Sequence, residues 1–232
     1  MKLQYLLLSL VCVFGTCGPK SVQVPKTNQS SDAADTKLIE LVRLFSEDVG
    51  ERGQKAFQEI RSHQNAVDEL VALRGRLPPN DGLQPQIAFA LLKLGHEHES
   101  NAAIISSALS KEPKFKDFDA DQAASLLVRL IHDGDEKPLS DILRSAGWAD
   151  GALAEIVGDE ASDQLLSDTT RVLTILSVEP RPLRMKIYDL INGSGSLDQQ
   201  DKKLIESRLK KINSGSPLFA VARELRASSA LR

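Results

Sequence analysis

The feature that most constrains this chain is a recurring pair of apolar segments joined by a short polar turn. Five such pairs begin at Ala56, Ala88, Ala123, Val172 and Ile205. Hydrophobic markers near the end of each first segment are spaced 34, 36, 46 and 36 residues apart; they are Ile60, Leu94, Leu130, Leu176 and Ile212. Repetition at this period predicts stacked two-helix units that cover one another's apolar faces. We place the ten extra residues of the long interval in an additional short helix between residues 147 and 166.

Within these segments the apolar residues recur at helical spacing. The clearest face comprises Ala120, Ala123, Ala124, Leu127, Leu130 and Ile131, with Asp119 as the predicted N-cap. No stretch after Thr36 alternates as a half-buried strand would. Aromatic residues make up only 4% of the chain, which leaves a core of aliphatic side chains and favours closely packed helices. We therefore predict an all-α protein.

The two-helix period resembles that of HEAT-like repeat proteins, over roughly Thr36 to Arg232. The resemblance rests on first helices rich in small residues and leucine, such as AFALLKLG from Ala88, and on polar links into Leu/Ile-rich second helices. It implies an α-solenoid of about five two-helix HEAT-like repeats, occupying residues 37–232, with armadillo-like arrays as the alternative. A solenoid of this kind presents an extended binding groove.

Residues 1–17 predict an export signal. Lys2 precedes a mostly apolar run from Leu3 to Phe14, which is shorter than the roughly 18 residues of a membrane span. The run ends in FGTC, which resembles the lipobox of bacterial lipoproteins, where the cysteine is lipidated and becomes the mature N-terminus. The resemblance implies that Cys17 carries the lipid. Ordinary cleavage after Gly15 is the alternative.

Residues 18–36 are rich in Ser, Asp, Pro, Lys and Gln and predict a flexible tether between Cys17 and the helical domain. The expected location is the bacterial cell envelope, lipid-anchored to the membrane, and the outer membrane if the cell is Gram-negative. Without lipidation the protein would be secreted or periplasmic. Cys12 and Cys17 are the only cysteines, so we expect neither a disulfide framework nor a thiolate metal site in residues 37–232.

Charge is unevenly distributed along the chain. The net charge of −3 gives no overall attraction to nucleic acid, but residues 117–167 are acidic and residues 168–232 are basic. The basic end predicts contact with an acidic partner protein or anionic lipid headgroups, and ordinary solvated helix faces are the alternative. The candidate contact residues are Arg171, Arg181, Arg184, Lys186, Lys202, Lys203, Arg208, Lys210 and Lys211.

Two of the four histidines fall in KLGHEHES, residues 93–100. The repeat register places this stretch in a turn between two helices, and it places His63, His96 and His132 at nearly the same position of successive repeats. Packed helices lie about 8–10 Å apart, whereas zinc–nitrogen bonds are about 2 Å long, so histidines in different layers cannot share one ion.

Some HEAT-like metal enzymes, deoxyhypusine hydroxylase among them, hold a di-iron centre with His-Glu pairs from several repeats. Here both pairs, His96-Glu97 and His98-Glu99, lie in one turn and the opposing pair is absent. We therefore predict no catalytic residue, no metal and no cofactor. The predicted function is a non-catalytic, lipid-anchored scaffold that binds another envelope protein through its groove. The alternative is a metal-dependent envelope enzyme that uses the turn of His96 and His98.

Overall fold

Helices supply all the regular secondary structure in the part of the chain that the computed structural model describes, residues 29–231, with side chains from residue 35 onward. Between those limits there is no strand and there are only isolated β-bridges, which confirms the all-α prediction. The helices are α1 (Gln29–Glu47), α2 (Glu51–Ser62), α3 (Ala66–Arg76), α4 (Leu83–Lys93), α5 (His98–Ala108), α6 (Ala120–His132), α7 (Leu139–Ser145), α8 (Gly151–Ser167), α9 (Thr169–Val178), α10 (Arg181–Ser194), α11 (Gln199–Lys210) and α12 (Phe219–Ala227), followed by a 3₁₀ turn at Ser229–Leu231.

The predicted export signal, Cys17 and residues 18–28 of the predicted tether lie outside the described residues. Helix α1 begins at Gln29, so its first two turns come from the segment predicted to be a tether. From residue 29 to residue 231, no helix is both long enough and apolar enough to span a membrane.

The sequence-based prediction for α6 is confirmed at its start and along its face. The Asp119 carboxylate accepts the backbone N–H of Gln122 at 3.0 Å, and the Gln122 side chain accepts the backbone N–H of Asp119 at 2.9 Å. This reciprocal capping box satisfies two backbone donors that the first turn would otherwise leave free. The predicted apolar face is buried at Ala123, Ala124, Leu127, Leu130 and Ile131, whereas Ala120 is only partly buried.

The additional helix lies where we predicted it, but the prediction of a short helix was wrong. Helix α8 has 17 residues and packs against α6, α7, α9, α10 and α11. It approaches α10 closely at Gly158, where an added Cβ would lie 2.7 Å from the carbonyl oxygen of Leu190. Length and packing make α8 a central element of the C-terminal half, because its buried face meets helices on several sides.

The principal helix contacts join elements that are near one another in the chain. Helix α1 packs on α2 and α4, α4 on α5, α5 on α6, α6 on α8, and α9 on α11 and α12. Polar side-chain contacts recur over similar sequence separations. The separations are 41 residues for Arg76–Asp35, 38 for Lys137–Glu99, 35 for Arg144–Glu179 and 40 for Arg184–Glu224. Each contact thus spans about one period of the sequence pattern.

Two arginine side chains cap the C-terminal ends of helices that come well before them in the chain. The Arg129 guanidinium on α6 donates to the carbonyls of Phe45 (3.0 Å) and Ser46 (2.9 Å) at the end of α1, and it stacks on the Phe45 and Phe89 rings. Burial lowers the pKa of Arg129. Arg208 on α11 donates to the Leu166 carbonyl at the end of α8. A cation at a helix C-terminus is stabilising because it pairs with unsatisfied carbonyl groups and with the helix dipole.

Candidate functional site

The turn that holds KLGHEHES has the same backbone geometry as the turn that follows α6. Gly95 and Gly134 adopt left-handed φ angles of 79° and 97°, which glycine accepts without strain. The N–H groups of Gly95 and His96 donate to carbonyls three and five residues earlier, and those of Gly134 and Asp135 repeat the pattern, all at 2.9 Å. These are Schellman-type helix ends, so each polar segment leaves its helix in the same direction.

The side chains of these two turns pair with one another. His98 Nε2 lies 3.0 Å from the Asp135 carboxylate, and the Lys137 ammonium lies 3.2 Å from the Glu99 carboxylate. Lys93 forms a third ion pair, with Asp133. The polar residues that suggested a metal site in the sequence therefore connect one turn to the next.

The remaining histidines also each face one carboxylate. His96 lies 3.7 Å from Glu97, and His63 lies 3.7 Å from Glu69. His132 Nε2 lies 3.0 Å from Glu160, whose side chain also accepts a hydrogen bond from Gln164. Glu160 is only 3% exposed, and burial raises the pKa of its carboxyl group.

Residues 35–231 contain no group of three or more His, Cys, Asp or Glu side chains placed to hold a metal ion. Within this range, no third His, Cys, Asp or Glu side chain completes a metal-ligand set with His96 and His98. His98 instead contacts Asp135, whose side chain is only 15% exposed.

Six of the nine predicted contact residues in the basic end have partners inside the protein. Arg184 makes a two-pronged hydrogen bond to Glu224, at 2.8 and 3.0 Å, which holds the pKa of that carboxyl below its ordinary value. Arg181 lies 3.4 Å from the same carboxylate. The other three side-chain contacts are from Arg171 to the Glu136 carbonyl, from Lys186 to the Gly147 carbonyl and from Lys210 to Glu206.

Arg208 is the sixth, through its cap on α8. Lys202, Lys203 and Lys211 form no ion pair with any residue in the described range. They lie on or at the end of α11, whereas Arg171 lies on α9 and Arg181, Arg184 and Lys186 lie on α10. Of the nine predicted contact residues, those whose side chains form no hydrogen bond or ion pair in the described range therefore lie on α11 or directly after it.

A groove between α5 and α7 is one candidate binding site that this geometry offers. Its volume is about 520 Å³, within the range of about 300–1,000 Å³ that is usual for ligand sites. One wall is formed by small side chains of α5, and the other by α7 and the turn after it. The residues that line it include Ala102, Ala103, Ser106, Ser107, Asp141 and Trp148. We call this the α5–α7 groove.

Trp148 is the single tryptophan of the chain and lies half-buried at the α5–α7 groove. Its indole N–H donates to no acceptor among residues 35–231. Tryptophan combines a large apolar surface with one polar donor, and it is enriched among the residues that dominate protein interfaces. Small residues on the opposite wall allow another backbone to approach closely.

Sequence reasoning missed this groove, although two signals were present. Ala102, Ala103, Ser106 and Ser107 recur one turn apart, which marks one helix face made only of small side chains. The lone Trp148 follows the second helix of the next pair. Which helix would face α5 could not be read from either signal.

Comparison with known proteins gives no relative: no protein-family model, no curated protein and no solved structure matches this chain.

Proposed function

We propose that this chain is an exported, lipid-anchored, non-catalytic scaffold that binds another protein of the bacterial envelope. In this proposal the helix pairs stack as an α-solenoid of about five HEAT-like repeats. Support comes from the contacts between near neighbours in the chain and from polar contacts that recur at separations of 35–41 residues. Support also comes from the two helix ends at Gly95 and Gly134, whose hydrogen bonds are alike.

The observation that carries the proposed activity is the α5–α7 groove. An open depression with a small-residue wall fits a polypeptide segment, because a backbone can lie against Ala103 and Ser107 while a side chain covers Trp148. Lys137 and Arg144 at the groove are already paired, with Glu99 and Glu179. We therefore infer that an apolar or small-residue segment of the partner enters the groove, while Lys202, Lys203 and Lys211 are candidates for a second, acidic contact.

The test is a capture experiment on envelope extract with three versions of the full chain. Ala103→Arg places a long charged side chain in the α5–α7 groove at an exposed position of α5. Ala152→Arg makes the same change at an exposed position of α8 that does not line the groove, and it serves as the matched control. We expect a partner that is retained by the wild type and by Ala152→Arg but is reduced at least about tenfold with Ala103→Arg, since losing 1.4 kcal/mol of binding is tenfold in affinity.

A partner retained equally by all three proteins would exclude the groove as the binding site. If a partner is captured as expected, the complex of this chain with that partner should be reconstituted from purified components and its affinity measured. Circular dichroism of both arginine variants must match that of the wild type, which separates a blocked groove from a disturbed fold.

A further inference from the structure

A second cavity lies where the end of α1, the start of α4 and the loop before α6 meet. Its volume is about 500 Å³, and its lining residues are Arg43, Glu47, Asp81, Gly82, Leu83, Gln86, Lys116 and Asp117. We call this the Gln86 cavity. Leu83 and Gln86 are buried, whereas Arg43, Glu47, Lys116 and Asp117 are exposed and charged. The cavity therefore has a buried side and a charged rim.

Gln86 is the unusual member of this set. Only 5% of the residue is exposed, its side-chain amide makes no hydrogen bond with any residue from 35 to 231, and the amide atoms still reach solvent. It lines both the Gln86 cavity and an adjoining smaller one. Because these amide atoms are open to solvent in the cavity, they can exchange water for a ligand without leaving a buried polar group unpaired. An amide that lines a cavity in this state is available to donate to and accept from a ligand.

The rim charges are also unpaired. Neither cation, Arg43 or Lys116, forms an ion pair within the described side chains, and the same holds for the carboxylates of Glu47 and Asp117. Arg43 and Glu47 are one turn apart on α1, where such pairs commonly form. The cavity thus offers positive and negative groups to one bound molecule. Asp81 differs, because its carboxylate accepts the backbone N–H of Leu83 at 2.9 Å.

The loop that carries Lys116 and Asp117 is held firmly against α4. The Lys116 N–H donates to the Asn80 carbonyl at 2.7 Å, and Phe115 and Phe118 are buried on either side. A Cβ on Gly82 would lie 2.2 Å from the Lys116 carbonyl oxygen, so only glycine permits this approach. The backbone that carries Lys116 and Asp117 is therefore fixed before any ligand arrives, which lowers the entropic cost of binding.

We propose that the Gln86 cavity binds a small zwitterion of the α-amino acid class, either a free amino acid or a dipeptide. Arg43 and Lys116 would hold its carboxylate, Glu47 and Asp117 its ammonium group, and the Gln86 amide a polar group between them. Charge-assisted hydrogen bonds of this kind are the stronger ones, and they discriminate against molecules that lack either charge. This inference does not depend on the proposed scaffold function, because it concerns a different cavity.

Isothermal titration calorimetry on the full chain tests the proposal. The probes are L-alanine, L-lysine, L-glutamate and L-alanyl-L-alanine, with N-acetyl-L-alanine and L-alaninamide as matched compounds that each lack one charge. We expect at least one zwitterion to bind with a Kd of about 1 mM or lower. The N-acetylated and amidated compounds should bind at least about tenfold more weakly, since each loses one set of charged contacts.

Three variants assign the binding to this cavity. Gln86→Leu should weaken binding of the zwitterion at least about tenfold, because it removes the amide that donates to and accepts from the ligand. Arg43→Glu, at an exposed position, should weaken it similarly without endangering the fold. Gln58→Leu, at an exposed position of α2 outside the cavity, should leave affinity unchanged. The proposal is overturned if no zwitterion binds, if the singly charged compounds bind equally well, or if Arg43→Glu and Gln86→Leu both retain binding.

Discussion

Replacing Gly158 by alanine should force α8 and α10 apart and destabilise the protein. The added methyl carbon would lie 2.7 Å from the Leu190 carbonyl oxygen and 3.0 Å from the Ser194 Cβ. Ordinary contacts begin near 3.4 Å, and the Leu190 oxygen belongs to the backbone of α10. One of the two helices must therefore move by roughly 0.7 Å, which a densely packed interior resists.

The expected loss of stability combines two opposing effects. Inserting a methylene-sized group into a well-packed interface costs about 1–3 kcal/mol. Alanine in a helix interior returns up to about 1 kcal/mol relative to glycine. With the full propensity gain, the net loss in the free energy of unfolding should be about 0–2 kcal/mol. For a domain of about 200 residues this corresponds to a fall in Tm of up to roughly 8 °C.

Gly193→Ala is the matched control, because Gly193 lies on α10 and an added Cβ there meets nothing within 4 Å. It should raise stability by up to about 1 kcal/mol through helix propensity alone. Thermal unfolding followed by far-UV circular dichroism, with urea denaturation as a second measurement, would give both values. If Gly158→Ala proved as stable as Gly193→Ala, the close approach of α8 to α10 would be refuted.

Two further predictions concern a buried carboxyl group and the lipid anchor. Burial raises the pKa of Glu160 above its ordinary value of 4.5, so the folded state retains a proton that the unfolded chain releases, and stability should fall as pH rises from 4.5 to the raised pKa. The Glu160→Gln side chain does not titrate, so the stability of this variant relative to the wild type should increase as pH rises across that window. The difference in stability between the two proteins should shrink in acid. A pH-independent difference between their urea midpoints would contradict the prediction. Cys17→Ser should abolish incorporation of a labelled fatty acid by a bacterial host and release the protein from the membrane fraction, whereas Cys12→Ser should change neither; labelling that persists in Cys17→Ser would rule out lipidation at that residue.

Much of the local structure could be predicted because its causes lie within a few residues. The Asp119 cap and the buried face of α6 each depend on contacts within one or two turns of helix. The length of α8 was harder to predict, because the ten extra residues of the long interval indicated only an additional short helix. Its contacts with several other helices give it a central position that periodicity alone did not indicate.

The candidate sites, in contrast, depend on contacts between residues that are far apart in the chain. Arg184 was indistinguishable in the sequence from Lys203, yet Arg184 is held by Glu224, 40 residues away, and Lys203 has no ion pair in the described range. The histidine-rich turn could be recognised in the sequence because its residues are adjacent in the chain. The α5–α7 groove and the Gln86 cavity could not be recognised there, because their walls come from separate helices and loops.

By itself, the sequence determined that residues 37–231 are helical, that α6 begins after the Asp119 cap, and that the core is mostly aliphatic. Hydrophobic periodicity and capping are sufficient for this because both act over short separations along the chain. Only the tertiary structure decided which charges are paired internally, which side chains line a cavity and which small-residue face borders an open groove. Those properties arise where helices that are far apart in the chain approach within a few ångströms, and that approach depends on the packing of all of them together.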